Sequence, residues 1–230
     1  MSTTAVAFDR LYIWERPVRL YHWVTALSLV LLVATGLIIG RPPAFMTSGD
    51  ASTTNWFGIV RLLHFTSAYV FMFVFVLRVY WLFAGNRYAR WSNFFPLSPT
   101  LLLQQMKQAF QVVKVDLLQL EKQPLVVEGH NALAAWSYAG VFAATVFEVV
   151  TGFGLYAPMS EWWIPHLFTW VVPLMGGDAS VRFWHHAATW FFVVFTAIHV
   201  YLCIYHDYVE GHGEISSMVS GSKFVPRGDR

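Results

Sequence analysis

The stretch Trp184-His185-His186-Ala187-Ala188-Thr189-Trp190-Phe191-Phe192-Val193-Val194-Phe195-Thr196-Ala197-Ile198-His199 sets two histidines fourteen residues apart with no charged residue between them. As a helix it turns ~100° per residue, so the ring of His199 returns to within about 40° of His185, ~21 Å further along the axis. One helix face then carries two imidazoles at two depths. His186, about 140° from His199 by the same geometry, faces elsewhere.

The rest of the chain fits such a segment into a membrane. Of 230 residues, 57% are hydrophobic and 12% charged, and the mean hydropathy is +0.50, which is foreign to a water-soluble core. Four apolar runs, at about 21–40, 61–84, 131–157 and 184–205, are each long enough to cross ~30 Å of hydrocarbon. The expected fold is therefore all-α, a four-helix integral membrane bundle forming a single transmembrane domain over 1–230. The first run is too long for a cleavable signal peptide and leads into Arg41-Pro42-Pro43, so it stays as a helix. Ser98-Pro99, followed by Leu101, Leu102, Leu103, Met106, Phe110, Val113, Leu117 and Leu120 among polar residues, predicts an amphipathic helix along the cytoplasmic membrane surface. The single cysteine, Cys203, excludes an internal disulfide and a cysteine metal cluster. A formal charge of +2 gives no sign of nucleic-acid binding.

Lysine and arginine set the expected orientation. Arg10, Arg16 and Arg19, then Arg87, Arg90, Lys107, Lys114 and Lys122, then Lys223, Arg227 and Arg230 put eleven on one side, against Arg41, Arg61 and Arg182 on the other. Both termini are expected in the cytoplasm. The outward third connection, with Trp162, Trp163 and Trp170, reads as an aromatic interfacial segment suited to docking a partner.

A histidine within a span is costly unless it pairs or binds something. His22 opens span one at the cytoplasmic level and His64 opens span two at the outer level, so His64 can meet His185 and His22 can meet His199. Two imidazole pairs at two levels suit two six-coordinate hemes, neutral histidines filling both axial positions. Zinc is a weaker fit, because a tetrahedral site gathers its ligands at one depth. Gly36, fourteen residues after His22, offers either room for a flat macrocycle or ordinary close helix packing. His206 is a second choice to His199, while His166 and His212 are expected to be solvated.

Several motifs carry a resemblance over nearly the whole chain, from about Tyr12 onward. Arg16-Pro-Val-Arg-Leu-Tyr-His22-Trp, Ile59-Val-Arg-Leu-Leu-His64-Phe, Arg78-Val-Tyr-Trp-Leu-Phe-Ala-Gly-Asn-Arg-Tyr-Ala-Arg90, Gly129-His-Asn131, Thr151-Gly-Phe-Gly-Leu-Tyr156 and Trp184-His185 with His199-Val-Tyr resemble the b-type cytochrome subunit of membrane-bound, quinone-linked nickel-iron uptake hydrogenases. The run ending Gly-Asn-Arg-Tyr-Ala-Arg is the most specific. The pattern of four spans with histidines is shared with the wider cytochrome b561 and formate dehydrogenase cytochrome group.

The resemblance implies two b hemes with iron ligands His22, His64, His185 and His199, and a hydrogenase whose small and large subunits lie on the outer face of the inner (cytoplasmic) membrane. It implies electrons entering from iron-sulfur clusters, crossing from the outer to the inner heme and reaching a quinone; nothing in this chain could cleave hydrogen. His130 and Asn131, in a cytoplasmic turn, are candidates for binding the quinone, with a helix cap by Asn131 as the plain alternative. Arg78 suits an inner-heme propionate or the inner headgroups. Glu148, where that family usually has an apolar residue, suits either a structural hydrogen bond or a modifier of the outer heme's potential. Two other functions fit the same pattern: the cytochrome of formate dehydrogenase or another periplasmic reductase, and a stand-alone cytochrome b561-type quinone oxidoreductase.

Overall fold

The four apolar runs fold as four long helices. The computed structural model describes residues 8–44, 55–91, 99–112, 114, 132–209 and 213–226. In chain order these form strand β1 (Phe8–Tyr12), α1 (Arg16–Gly40), α2 (Trp56–Ala84), α3 (Pro99–Val112), α4 (Ala132–Tyr156), a 3-10 turn (Ala157–Met159), short helices α5 (Trp163–His166) and α6 (Val171–Leu174), α7 (Asp178–Val209), α8 (Glu214–Ser220) and strand β2 (Ser222–Pro226). Helices α1, α2, α4 and α7 have 25, 29, 25 and 32 residues, more than the ~20 needed to cross a bilayer. Apolar β-branched residues are no obstacle there, because in lipid the helix is what satisfies every backbone group.

Three of the long helices begin about five residues before the spans expected from hydropathy. Apolarity marks where hydrocarbon begins, whereas helical hydrogen bonding continues into polar flanks such as Arg16–Leu20 and Asp178–Phe183. Helix α3 confirms an amphipathic segment between the second and third spans, with Leu103, Met106 and Phe110 exposed. Ser98, Leu117, Leu120, His130 and Asn131 lie outside the described residues.

The chain divides into two compact units, each taking part of every long helix. The first comprises Met1–His22, Leu77–Gly140 and Thr196–Arg230. Here β1 and β2 pair antiparallel, Phe8 opposite Pro226 and Tyr12 opposite Ser222. Hydropathy predicts no strand here, since both segments are too short and too polar to stand out beside the spans. Residues flanking the two strands hold the ribbon in place. Gly221 accepts hydrogen bonds from the backbone of Ile13 and Trp14, at 2.8 and 3.0 Å, and Trp14 Nε1 donates to Ser217 Oγ on α8 at 3.1 Å. Gly221 has φ of +87°, and a Cβ there would stand 2.5 Å from Tyr12 Cε2 and 2.7 Å from the Trp14 carbonyl oxygen, so only glycine fits. Arg19 reaches the Val219 carbonyl.

The same unit explains the most specific motif. Asn86 Nδ2 donates to the Ile13 carbonyl at 2.8 Å, and its Oδ1 accepts from Tyr88 N and Ala89 N at 3.1 Å each. Glu15 Oε2 accepts from Trp81 Nε1 and Asn86 N, both at 3.0 Å. Ile13, Trp14, Val18 and Ala89 close over these bonds as a buried cluster. Arg78, only 7% exposed, donates to the Ala89 carbonyl at 3.3 Å and lies over the rings of Tyr21 and Tyr138. It is held inside the protein and does not snorkel.

The second unit comprises Trp23–Val76 and Val141–Phe195. Its connection between α4 and α7 folds back on α4: Phe153 stacks on Phe168, and Gly154 lies so close to Val171 that a Cβ would stand 2.9 Å from the valine Cβ. Val171 is buried, whereas Trp162, Trp163 and Trp170 are exposed, the aromatic surface expected of this connection.

Candidate functional site

Each unit brings together one of the expected histidine pairs. In the first, the rings of His22 on α1 and His199 on α7 have centroids 6.3 Å apart. Two metal–imidazole bonds of ~2 Å, with the reach from each nitrogen to its ring centre, sum to roughly 6 Å, so the separation is one that a shared iron would need. Cys203, one turn after His199, places its sulfur 3.8 Å from His199 Nε2. His206, the second choice, instead packs edge-on against Tyr205.

In the second unit, His64 on α2 and His185 on α7 line one cavity of about 930 Å³, a size typical of cofactor sites. Both are held in the same way. Thr35 Oγ1 lies 2.8 Å from His64 Nδ1 and 2.5 Å from the Leu31 carbonyl oxygen; Thr151 Oγ1 lies 2.8 Å from His185 Nδ1 and 2.7 Å from the Phe147 carbonyl oxygen. Each hydroxyl has one proton, which it donates to the carbonyl one turn back. At His64 the oxygen therefore accepts from Nδ1–H, whereas at His185 the one Nδ1–H is shared between Thr151 Oγ1 and Glu148 Oε2; either way Nε2 is left with a bare lone pair, the form that ligates a metal.

The residue after each threonine is glycine. A Cβ on Gly36 would lie 3.3 Å from His64 Cε1, and one on Gly152 would lie 3.1 Å from His185 Cε1. The glycines thus receive the flat imidazoles, and Gly36 holds the ring of His64 rather than a macrocycle directly. The repeated Thr-Gly pair, Thr35-Gly36 on α1 and Thr151-Gly152 on α4, is visible in the sequence; its meaning depends on which helices face each other.

Two further residues line the cavity in unexpected ways. Glu148 Oε2 lies 2.6 Å from His185 Nδ1, and its Oε1 accepts from Thr189 Oγ1 at 3.3 Å. His186 packs its ring against Gly40, where a Cβ would stand 2.7 Å from Cε1. His166 is exposed, as expected, and donates from Nε2 to the Ser160 carbonyl at 2.8 Å, and His212 lies outside the described residues. Arg61 and Arg182 also line the cavity. Arg61 contacts Met159 sulfur at 2.7 Å, and Arg182 is paired with Asp178 at 2.6 Å.

His64 and His185, glycine-backed and with Nε2 left bare, could supply donors to a heme iron, as could His22 and His199 with ring centroids 6.3 Å apart. A sequence profile described as prokaryotic cytochrome b561 matches residues 13–221. The chain belongs to this cytochrome family. As a b-type cytochrome it uses heme b, and its four long apolar helices make it a multi-pass membrane protein. Several curated relatives are similar to this cytochrome along most of their length. A protein of Azotobacter vinelandii is 42% identical over 213 residues, covering 91% of this chain and 87% of its own. One of Cupriavidus necator is 37% identical, with 91% and 85% covered. Both are named probable Ni/Fe-hydrogenase B-type cytochrome subunits, and an Escherichia coli K12 protein, 35% identical over 217 residues with 91% and 89% covered, is named probable Ni/Fe-hydrogenase 1 B-type cytochrome subunit.

Proposed function

We propose that this chain is the diheme cytochrome of a membrane-bound nickel-iron hydrogenase, carrying electrons from the hydrogenase's iron-sulfur small subunit across the inner membrane to quinone. The observation that carries this reading is the sorting of four histidines into two pairs, His64 with His185 and His22 with His199, one pair in each unit. Heme b supplies one-electron redox chemistry when bound between such pairs. His64 and His185 bind the outer group, with Thr35 and Thr151 holding their rings; His22 and His199 bind the inner one. The whole chain acts as one transmembrane domain.

Both termini face the cytoplasm in this reading. The basic residues favour it, and the pairing of β1 with β2 supports placing the two chain ends on one side. The exposed tryptophans of the third connection then face outward, where the hydrogenase subunits dock. His130 and Asn131 serve the quinone at the opposite level. The names of the relatives favour this partner over the cytochrome of formate dehydrogenase and over a stand-alone quinone oxidoreductase.

The test is to purify the native complex and record reduced-minus-oxidised spectra with heme quantitation, driving reduction with hydrogen and, separately, with formate. Two hemes per chain, reduced by hydrogen alone, are expected, and His64→Ala and His199→Ala should each remove about half of the heme. Reduction by formate, or a colourless protein, would overturn the reading.

A further inference from the structure

The two histidines of the second unit are held alike except in one respect. His64 Nδ1 faces the Thr35 hydroxyl. His185 Nδ1 faces the Thr151 hydroxyl at 2.8 Å and, closer still, the Glu148 carboxylate at 2.6 Å. The Glu148 side chain is 13% exposed, and its other oxygen lies 3.3 Å from the Thr189 hydroxyl, whose one proton it shares with the His185 carbonyl at 3.1 Å. Both carboxylate oxygens of the glutamate thus face groups on the helix that carries His185.

A carboxylate in the span of a membrane helix is expensive, and such a residue persists where it serves a site. A hydrogen bond from the distal ring nitrogen to a carboxylate makes the ligating nitrogen a stronger electron donor than one to a neutral hydroxyl, and this is one of the few means a protein has to set a heme's potential. Stronger donation stabilises the oxidised iron more than the reduced iron, which lowers the midpoint.

We propose that Glu148 is a positioning residue that would set the potential of a heme held by His185, acting through Nδ1 of that histidine, a contact that His64 does not have among the described residues. The proposal rests on His185 being an iron ligand.

The experiment is spectroelectrochemical titration, at one fixed pH, of the purified full-length holoprotein and of Glu148→Gln, with heme quantitation on the same samples. Gln keeps the shape and an acceptor oxygen but replaces the carboxylate. One of the two midpoints should rise, its equilibrium constant for one-electron reduction increasing about tenfold, which is 59 mV for one electron; the other should stay put, with both hemes retained. Glu148→Ala, which removes the carboxylate altogether, should raise the same midpoint at least as far and supplies the readout should Glu148→Gln fail to assemble. An unmoved midpoint in either variant that retains both hemes overturns the proposal. His185→Ala separates the two levels of inference: if it retains both hemes, the ligand assignment itself is wrong, whereas loss of one heme with an unmoved Glu148→Gln midpoint defeats the glutamate's role alone.

Discussion

Thr35 Oγ1 stands 2.8 Å from His64 Nδ1 while donating its own proton to the Leu31 carbonyl. A hydroxyl so committed is an acceptor toward the ring, and it decides which imidazole nitrogen is left bare. Thr35→Val keeps the shape and removes the acceptor. The rotamer and tautomer of His64 are then unconstrained, and heme affinity at this site should fall roughly 10- to 100-fold, the usual loss when the partner of a metal-ligating histidine is removed. Heme titration into stripped protein, comparing one site with the other, measures this.

The glycines backing the rings predict a graded steric series. Adding a methyl to Gly152 costs little, because 3.1 Å to the ring edge can be relieved by a small shift. Gly152→Leu cannot be so accommodated, and should displace His185 and remove about half of the heme absorbance, one of two sites. Gly40→Leu presses on His186 instead. In that variant the heme loss should be smaller than in Gly152→Leu, since His186 lines the cavity but is not the proposed ligand. A difference spectrum on each variant distinguishes the neighbouring histidines.

Asn86 joins three backbone groups from two parts of the first unit. Asn86→Ala leaves the Ile13 carbonyl and two backbone N–H groups without this partner, a loss on the order of 1–3 kcal/mol per buried group left unsatisfied. A clear drop in thermal stability in detergent should result, with the spectrum of the surviving holoprotein unaltered.

Gly221→Ala should be as damaging. It puts a Cβ at φ of +87° and into Tyr12 and the Trp14 carbonyl, and a non-glycine residue in such a conformation costs about 1–3 kcal/mol before any clash is counted. Limited proteolysis of detergent-solubilised protein should show early cleavage near both chain ends, because β1 and β2 lose their common anchor.

The spans are legible in the sequence because hydropathy and length are properties of single segments. The pairing of His185 with His199 on one face is legible for a similar reason, since the angular arithmetic needs only one helix. The roles of Thr35, Thr151 and Glu148 are not, because their partners lie 29, 34 and 37 residues away on other helices, and no periodicity on one segment reports who stands opposite. The ribbon escapes for an extreme form of this reason, its strands lying at the two ends of the chain. Gly36 is a site of close approach, as its spacing suggests, but the body approaching it is an imidazole.

The ribbon has a bearing on biosynthesis. Residues 8–12 leave the ribosome before the four long helices, yet their complement, 222–226, emerges only after them. The first strand stays unpaired while those helices are made, and a product lacking Ser222 onward would keep an open strand edge.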